Sequence, residues 1–267
     1  MIREYVVAGQ FYPSNPENLK EDIERLKPKE NSKVSAKGII IPHAGYMYSG
    51  KVAVSTINKV KPKKKVIILG PNHTGIGETF SVFSEGEWKM PFGNIKIDAS
   101  LARNIIGDAS VIKEDYSAHL HEHSIEVELP ILQYFFGDFE FVPVVCGISG
   151  INQYQEVANR IYKAIINMQD DILIVASSDM THYEDDSSAR KKDSLAIESI
   201  LKLDEKELIK RVEEYNISMC GIAPVSILLH CCKLLKASKA EVVLYQTSGD
   251  ASGDYSSVVG YLGAIVH

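Results

Sequence analysis

The sequence has no long apolar run, little cysteine and no excess of positive charge, and each shortage excludes a class of protein. No apolar stretch approaches the roughly 20 residues that cross a bilayer, so we expect no membrane-spanning segment. Only 4 of the 267 residues are cysteine, and they lack the spacing of a disulfide scaffold. The net charge of −6 disfavours binding to a nucleic-acid backbone, which requires a cationic surface.

Several short catalytic motifs are also missing. The sequence has no glycine-rich dinucleotide or phosphate loop, no Gly-x-Ser-x-Gly elbow, no His-Glu-x-x-His and no Cys-x-x-Cys. Nucleotide binding and serine hydrolysis therefore lose most of their support. The N-terminus also lacks a basic flank followed by an apolar segment and a cleavage site, so we expect a cytoplasmic protein.

Short apolar runs alternate with amphipathic segments, which is typical of an α/β protein with helices on both sides of a mostly buried sheet. No repeat or long linker divides the chain, so we predict a single domain over residues 1–267. Ser14 is predicted to cap the first helix. The predicted strands are 38–41, 66–69, 139–145, 172–176, 242–246 and 258–266, with a turn-rich β segment at 80–97. The later helices are predicted at 50–60, 100–106, 125–136, 152–168, 187–203, 205–215 and 224–235.

Two histidines and a cysteine stand at comparable positions beside these elements. His43 follows the strand at 38–41, His73 follows the strand at 66–69, and Cys220 precedes an apolar helix. Because the carboxyl ends of neighbouring strands form the ligand-binding crevice of an open α/β sheet, these side chains can converge. Taken singly, a buried histidine is more often a structural hydrogen-bonding group and a lone cysteine a small hydrophobe. Taken together, they predict a three-ligand site for iron, copper or zinc.

A carboxylate and an imidazole occur together in the segment from Ser178 to His182, which we predict to be a loop after a strand. Asp179 beside His182 suits acid/base catalysis, because a neighbouring carboxylate fixes the imidazole tautomer and keeps its pKa near working pH. The alternative is capping, in which Asp179 or Thr181 accepts hydrogen bonds from backbone donors at the turn. The two interpretations are compatible.

Three further histidines lie close together at 119, 121 and 123. Their alternation would place all three imidazoles on one face only in a strand, whereas the residues that follow resemble a helix start. We therefore expect His119 and His121 to face solvent. His123, nearest the helix start, is kept as a pocket candidate.

The chain resembles the Memo family (mediator of cell motility), and the motifs that carry the resemblance run nearly end to end in the expected order. They are Ala8-Gly9-Gln10-Phe11-Tyr12-Pro13, Pro42-His43-Ala44-Gly45-Tyr46, Gly70-Pro71-Asn72-His73, Glu122-His123-Ser124-Ile125-Glu126, Ser177-Ser178-Asp179-Met180-Thr181-His182 and Cys220-Gly221.

That family in turn is similar to the catalytic subunits of class III extradiol ring-cleaving dioxygenases. The resemblance implies a three-layer α/β/α sandwich around a mixed sheet, and a mononuclear site in which His43 and His73 are imidazole ligands. It implies that Cys220 takes the place of the carboxylate that holds non-haem iron in the dioxygenases. It also implies that Asp179 and His182 line the pocket, with His182 in the acid/base position, and that His123 hydrogen-bonds behind the ligands.

The cysteine in the ligand set shapes the functional hypotheses. A thiolate favours softer metals and can itself be oxidised. We therefore expect iron(II) or copper and redox chemistry on a small molecule or O2. The same difference puts ring cleavage in doubt. A different hypothesis is a non-catalytic module that binds a peptide or phosphopeptide, with Tyr46, Tyr48 and Phe11 as aromatic contacts, although these rings could equally be core. A third is a zinc hydrolase. We expect no nucleic-acid or membrane partner, and the substrate and the oligomeric state stay open.

Overall fold

The computed structural model describes residues 1–29, 32–108, 111–168 and 172–267. The strands are β1 Ile2–Arg3, β2 Gly38–Ile41, β3 Lys65–Pro71, β4 Phe80–Val82, β5 Glu87–Trp88, β6 Ile95–Lys96, β7 Lys113–Glu114, β8 Glu140–Cys146, β9 Ile172–Ser177, β10 Asp179–Glu184, β11 Ala240–Thr247 and β12 Val258–Val266. The helices are α1 Pro16–Leu26, α2 Tyr46–Asn58, α3 Ala99–Ile106, α4 Ser117–Leu120, α5 Leu129–Phe136, α6 Ile151–Ile165, α7 Asp186–Leu201, α8 Glu205–Glu214, α9 Ile222–Leu234 and α10 Gly249–Ser252, with a 3-10 helix at Glu126–Glu128 before α5.

A large mixed sheet forms the centre of the described part of the chain. Its middle strands β2, β9, β3 and β8 are parallel, and they read as continuous apolar runs because both of their faces are covered. Beyond β8 the sheet continues through β4 to β7, and beyond β2 it continues through the antiparallel strand β12. The parallel strands all end at one edge, so the segments that follow them share that edge.

Strand β12 is long enough to hold three partners. One of its edges pairs with β11 along most of its length. The other edge pairs with β2 from Ala264 onward and with β10 near Tyr261, so β10 continues the line of β2 beyond the carboxyl end of that strand. The start of β10 is thereby brought directly above the segment that follows β2.

Helices cover both faces of the sheet. On one face α2 packs against β12, where Gly263 gives Val52 room to approach the backbone, and α1 and α5 pack against α2. On the opposite face α9 packs against β2, where Gly38 gives room to Leu228, and α6 and α8 pack against α9. The three-layer α/β/α prediction with a mixed sheet is confirmed.

The predicted elements are present, most of them with shifted boundaries, and three predictions were wrong. Asn15, not Ser14, caps α1, because its Oδ1 accepts from the backbone N–H groups of Glu17 and Asn18. The segment after Ser178 is strand β10 rather than a loop. His119 is fully buried, not solvent-facing, although His121 is exposed.

Among residues 1–29, 32–108, 111–168 and 172–267, no helix combines the length and the apolar character needed to cross a bilayer.

Candidate metal centre

Three imidazoles meet at the carboxyl edge of the parallel strands. His43 comes two residues after β2 and His73 two residues after β3, and β9 lies between those two strands in the sheet. The ring centroids are 5.1 Å apart for His43 and His73, 5.6 Å for His43 and His123, and 4.8 Å for His73 and His123. One nitrogen of each ring lies within 4.8 Å of the others, so this cluster could hold a metal ion.

Cys220 lies next to one of the three rings, that of His43, and is not part of the three-histidine group. Its Sγ lies 3.5 Å from Nε2 of His43, and the backbone N–H of Asp179 donates to the sulfur at 3.3 Å. Two ligands bound to one tetrahedral ion at about 2.0 Å (nitrogen) and about 2.3 Å (sulfur) would be about 3.5 Å apart. Burial raises the pKa of the Cys220 thiol, so in the metal-free protein the sulfur keeps its proton at neutral pH.

Glu122 holds the second imidazole in place, and its role was missed in the sequence. Its Oε1 lies 2.9 Å from Nδ1 of His73, and its Oε2 accepts from the backbone N–H of His73 at 2.6 Å. The same Oε1 also accepts from the backbone N–H groups of His123 and Ser124. A carboxylate behind a histidine ligand is a recurrent device for orienting the ring. The sequence did contain a signal for this role, because an acidic residue directly precedes His123.

This contact also sets the charge of the pair. Burial works against ionisation of Glu122, but its hydrogen bonds to His73 and to backbone donors prevail and lower its pKa to about 2. Burial likewise opposes protonation of His73, yet the Glu122 carboxylate outweighs it and raises the pKa of His73. Nε2 of His73 is left as the nitrogen that can face an ion.

His43 is held by both its ring and its backbone. Its Nδ1 lies 2.7 Å from Oγ of Ser177, the last residue of β9. Burial, together with the nearby rings of His73 and His123, lowers the pKa of His43 well below its usual value. The imidazole is therefore neutral and can offer a lone pair from Nε2.

Asp179 is buried at the start of β10, directly above the segment that follows β2. Its Oδ1 accepts from the backbone N–H of His43 at 3.0 Å, so the carboxylate fixes the course of the chain at that residue. Burial raises the pKa of Asp179 to about 6, against the opposing effect of His182. The capping interpretation expected backbone donors at the local turn, whereas Asp179 begins a strand and accepts from the distant backbone of His43. A role of Asp179 in the site stays a prediction.

His182 lies on the same strand, and Ser218 orients it. Its Nδ1–H donates to the backbone carbonyl of Ser218 at 2.8 Å, and its backbone N–H donates to Oγ of Ser218 at 2.7 Å. The sequence had predicted that Asp179 would provide this orientation. Directly after His182, the pairing of β10 with β12 shifts in register, and Tyr183 has a φ of 59°. This irregularity turns the strand at that point.

His123 lies among the rings rather than behind them. It stacks on His73 with an angle of 22° between the ring planes, and Phe11 packs edge-on against it with centroids 5.1 Å apart. The resemblance implied a hydrogen-bonding role behind the ligands. That role stays a prediction, while the group that could hold a metal ion includes His123.

Arg3 supports the segment that carries Glu122 and His123. Its guanidinium is buried, donates to the backbone carbonyls of His119 and Glu122 at 2.7 and 2.6 Å, and forms an ion pair with Glu126 at 2.8 Å. The same group lies 3.9 Å from the centroid of the Trp88 ring. A residue near the start of the chain therefore fixes a segment more than a hundred residues away.

Comparison with known proteins identifies the family of this chain. The family described as Memo-like protein matches residues 3–265. The chain belongs to the Memo family. A MEMO1 family protein of Methanopyrus kandleri is 41% identical over 98% of this chain and 97% of its own length. Another from Aquifex aeolicus is 41% identical over 99% of this chain and 98% of its own length.

A solved structure resembles this Memo-family chain in fold. It is an uncharacterized protein from Escherichia coli K12, which is 10% identical and superimposes with a TM-score of 0.55. The match covers 85% of this chain and 98% of the other. At this identity the likeness concerns the fold alone.

The donor set of this Memo-family chain fits a transition metal. Two or three imidazoles and one sulfur are nitrogen and soft sulfur donors, which suit iron, copper and zinc far better than magnesium or calcium. His43 and His73 each use Nδ1 for a hydrogen bond, so Nε2 is the nitrogen of each ring that can face an ion. The ring nitrogens and the sulfur come from separate segments, so the fold has to form before they meet.

Proposed function

We propose that this Memo-family protein binds one iron or copper ion through His43, His73 and Cys220 and uses it for redox chemistry on a small molecule or O2. The single observation that supports the proposal is the cluster of His43, His73 and His123 at the carboxyl edge of the sheet, which could hold a metal ion and which has Sγ of Cys220 3.5 Å from Nε2 of His43. The mixture of imidazole and sulfur donors suits metals that change oxidation state.

The third ligand is the point on which two variants of this proposal differ. Cys220 would supply a negative charge at the amino end of α9, where a helix favours an anion. His123 would supply a neutral nitrogen instead. Its ring centroid lies 5.6 Å from that of His43 and 4.8 Å from that of His73, and the centroids of His43 and His73 are 5.1 Å apart, so the three separations are similar. We favour Cys220 as the ligand and assign His123 to the wall of the site.

The remaining residues have roles that follow from their hydrogen bonds. A bound iron or copper ion would supply one-electron chemistry and an open coordination position. Because Ser218 fixes the proton on Nδ1 of His182, Nε2 of His182 is available to take up or release a proton of a substrate. Asp179 keeps the backbone of His43 in place and adds a nearby carboxyl group with a raised pKa.

Metal analysis tests the proposal directly. The purified protein is reconstituted anaerobically with iron(II) or with copper and then desalted, and its metal content is measured. We expect close to one ion per chain in the wild type and a large loss in the double variant His43→Ala and Cys220→Ser. The proposal fails if the wild type retains neither metal, or if the double variant retains as much as the wild type.

The ligand set is resolved by single substitutions. Cys220→Ser and His123→Ala are compared, with His121→Ala as a matched control because that imidazole is exposed and outside the cluster. Loss of binding in Cys220→Ser with retention in His123→Ala supports the ligand set that we favour. An electron paramagnetic resonance signal from the loaded protein separates iron or copper from zinc, which has no redox chemistry.

A peptide-binding role without turnover is the second candidate, and exposed apolar side chains beside the site favour it. Met47 is 73% exposed, Tyr183 79% and Tyr48 38%, and they follow His43 and His182 closely in the chain. Tyr46, in contrast, is buried and donates to the carbonyl of Val127, so it belongs to the core. Peptide affinity that survives removal of the metal ligands would favour this role, whereas oxygen uptake with a candidate substrate would count against it.

A further inference from the structure

A buried carboxyl group lies behind the metal centre, and none of the roles assigned above uses it. Glu128, in the 3-10 helix before α5, is fully buried and forms no ion pair with a cationic side chain of the described residues. Its Oε1 lies 3.0 Å from Oγ of Ser177, while its Oε2 is buried and has no hydrogen-bond partner among the residues that the structure describes. A buried polar atom of this kind requires an explanation.

Ser177 connects Glu128 to His43. Its Oγ lies 2.7 Å from Nδ1 of His43, 2.7 Å from the backbone carbonyl oxygen of Ser124 and 3.0 Å from Oε1 of Glu128. A serine hydroxyl has one proton to donate and two lone pairs that accept. Three close polar neighbours therefore use the one donor and both acceptor positions of the Ser177 hydroxyl. Only certain placements of the protons give each of the three neighbours a hydrogen bond.

One arrangement of protons satisfies every contact. The Ser124 carbonyl can only accept, so the Ser177 hydroxyl donates to it, and both lone pairs of Oγ are left to accept. The two remaining neighbours must then be donors, namely Nδ1–H of His43 and a protonated oxygen of Glu128. If Glu128 were ionised, it would compete with the Ser124 carbonyl for the single hydroxyl proton, and one buried acceptor would be left without a donor.

The unpartnered oxygen supports the same conclusion. In a protonated acid that donates through Oε1, Oε2 is an ordinary carbonyl oxygen. Leaving a neutral carbonyl without a partner costs far less than burying an ionised carboxylate that has one serine as its only neighbour. Burial raises the pKa of Glu128 well above its usual value; the hydrogen bond to Ser177 opposes this rise, and the nearby Asp179 adds a smaller increase. The nearby Tyr46 is neutral because burial raises its pKa as well.

The geometry points to Ser177 and Glu128 as positioning residues that fix the Nδ1–H tautomer of His43, with Glu128 acting as a neutral carboxylic acid. This inference rests on the proposed function in one respect, since it gives the fixed tautomer a purpose, namely to hold the Nε2 lone pair toward the ion. The arrangement places no additional charge beside the sulfur and Asp179. It is a neutral counterpart of the ionised Glu122 that orients His73.

The test uses metal-free protein, so its result does not depend on whether the protein binds a metal. The infrared spectrum of the wild type at neutral pH is compared with that of Glu128→Gln, and we expect a C=O stretching band of a protonated carboxylic acid that the variant lacks. Carbon-13 labelling of glutamate should shift the same band in the unsubstituted protein. Absence of a protonated-glutamate band in the labelled wild type overturns the inference.

Nitrogen-15 NMR of the imidazoles gives the second readout. We expect His43 to carry its proton on Nδ1 in the wild type and in Glu128→Gln, whose amide N–H can donate to Ser177 as the acid does. In Ser177→Ala this preference should weaken. A proton on Nε2 of His43 in the wild type would contradict the inference, whatever the metal content.

Metal affinity then tests the purpose of the arrangement. Glu128→Gln should bind within about threefold of the wild type because the donor is retained, whereas Ser177→Ala should bind about 10- to 100-fold more weakly, as loss of such a supporting contact usually does. Equal affinities in Ser177→Ala and the wild type would show that the tautomer of His43 does not matter for binding. If no protein binds a metal, the proposed function fails while the infrared and NMR results still decide the inference.

Discussion

Glu122 binds His73 at two points, with Oε2 accepting from the backbone N–H at 2.6 Å and Oε1 lying 2.9 Å from the ring Nδ1. The carboxylate therefore fixes both the position of the chain at His73 and the direction of Nε2. Because the two residues are 49 positions apart, their contact also ties the segment after β3 to the segment that carries His123.

The first prediction concerns metal affinity. We expect Glu122→Gln to bind iron or copper about 10- to 100-fold more weakly, because the amide cannot accept at both of the points where the carboxylate does. Isothermal titration or competition with a chelator measures the change. Glu4→Gln is the matched control, since Glu4 is exposed and its carboxylate pairs with Lys89, away from the cluster. If Glu122→Gln binds the metal as tightly as the wild type, Glu122 does not orient His73 for metal binding.

The second prediction concerns acid stability. The pKa of Glu122 is lowered from 4.5 to about 2 in the folded state, so its ionised form stabilises the fold at neutral pH, and this contribution is lost as the pH falls from about 4.5 to about 2. The contribution is about 3 kcal/mol. Urea unfolding of the wild type and Glu122→Gln, both with a metal chelator present, should therefore converge between pH 5 and pH 2. If the difference in unfolding free energy between the two proteins stays constant over that interval, the lowered pKa of Glu122 is contradicted.

The third prediction concerns Arg3. We expect Arg3→Met to lower the free energy of unfolding by about 3–5 kcal/mol, because the substitution leaves the buried carboxylate of Glu126 without its cation. Lys89→Met is the control, since its pair with Glu4 is exposed to solvent and should change the free energy of unfolding little. Chemical denaturation measures both. Similar small losses in the two variants would mean that the Arg3 pair contributes little.

The fourth prediction concerns Gly221, which lies between Cys220 and α9. A Cβ at this position would lie 2.2 Å from Cβ of Ser178 and 2.6 Å from the carbonyl oxygen of Ser177, so Gly221→Ala must push the start of α9 away from the end of β9. We expect a loss of about 1–3 kcal/mol in stability and weaker metal binding, because Cys220 moves with the helix. Gly150→Ala is the control, as nothing lies within 4 Å of the added carbon. Wild-type metal affinity in Gly221→Ala would show that the site tolerates this shift.

The central strands could be predicted from the sequence because their signal is local. Strand β2 has the predicted bounds Gly38–Ile41 and β12 the predicted bounds Val258–Val266, since each is a continuous apolar run that a buried strand requires. Strand β10 was missed because the residues from Asp179 to Glu184 are mostly polar and show no such run. Its strand conformation comes from pairing with β12, which is a distant part of the chain.

The candidate ligands were predictable for a related reason, and the groups that support them were not. His43 and His73 directly follow strands, so the topology of an α/β sheet brings them to one edge. The hydrogen bonds of Glu122 to His73, of Ser218 to His182 and of Arg3 to Glu122 join segments far apart in sequence. Such contacts depend on the packing of loops, for which the sequence has no periodic signal. The single-domain assignment over 1–267 stays a prediction.

Strand β12 has a consequence for the order in which the centre can assemble. Both β2 and β10 pair with it, so the carboxylate that holds the backbone of His43 is anchored by residues 258–266. During synthesis the histidines leave the ribosome long before that strand does. A nascent chain that ends before residue 258 therefore lacks the strand with which β10 pairs. In such a chain the carboxylate that holds the backbone of His43 is not anchored, so the metal centre cannot be complete.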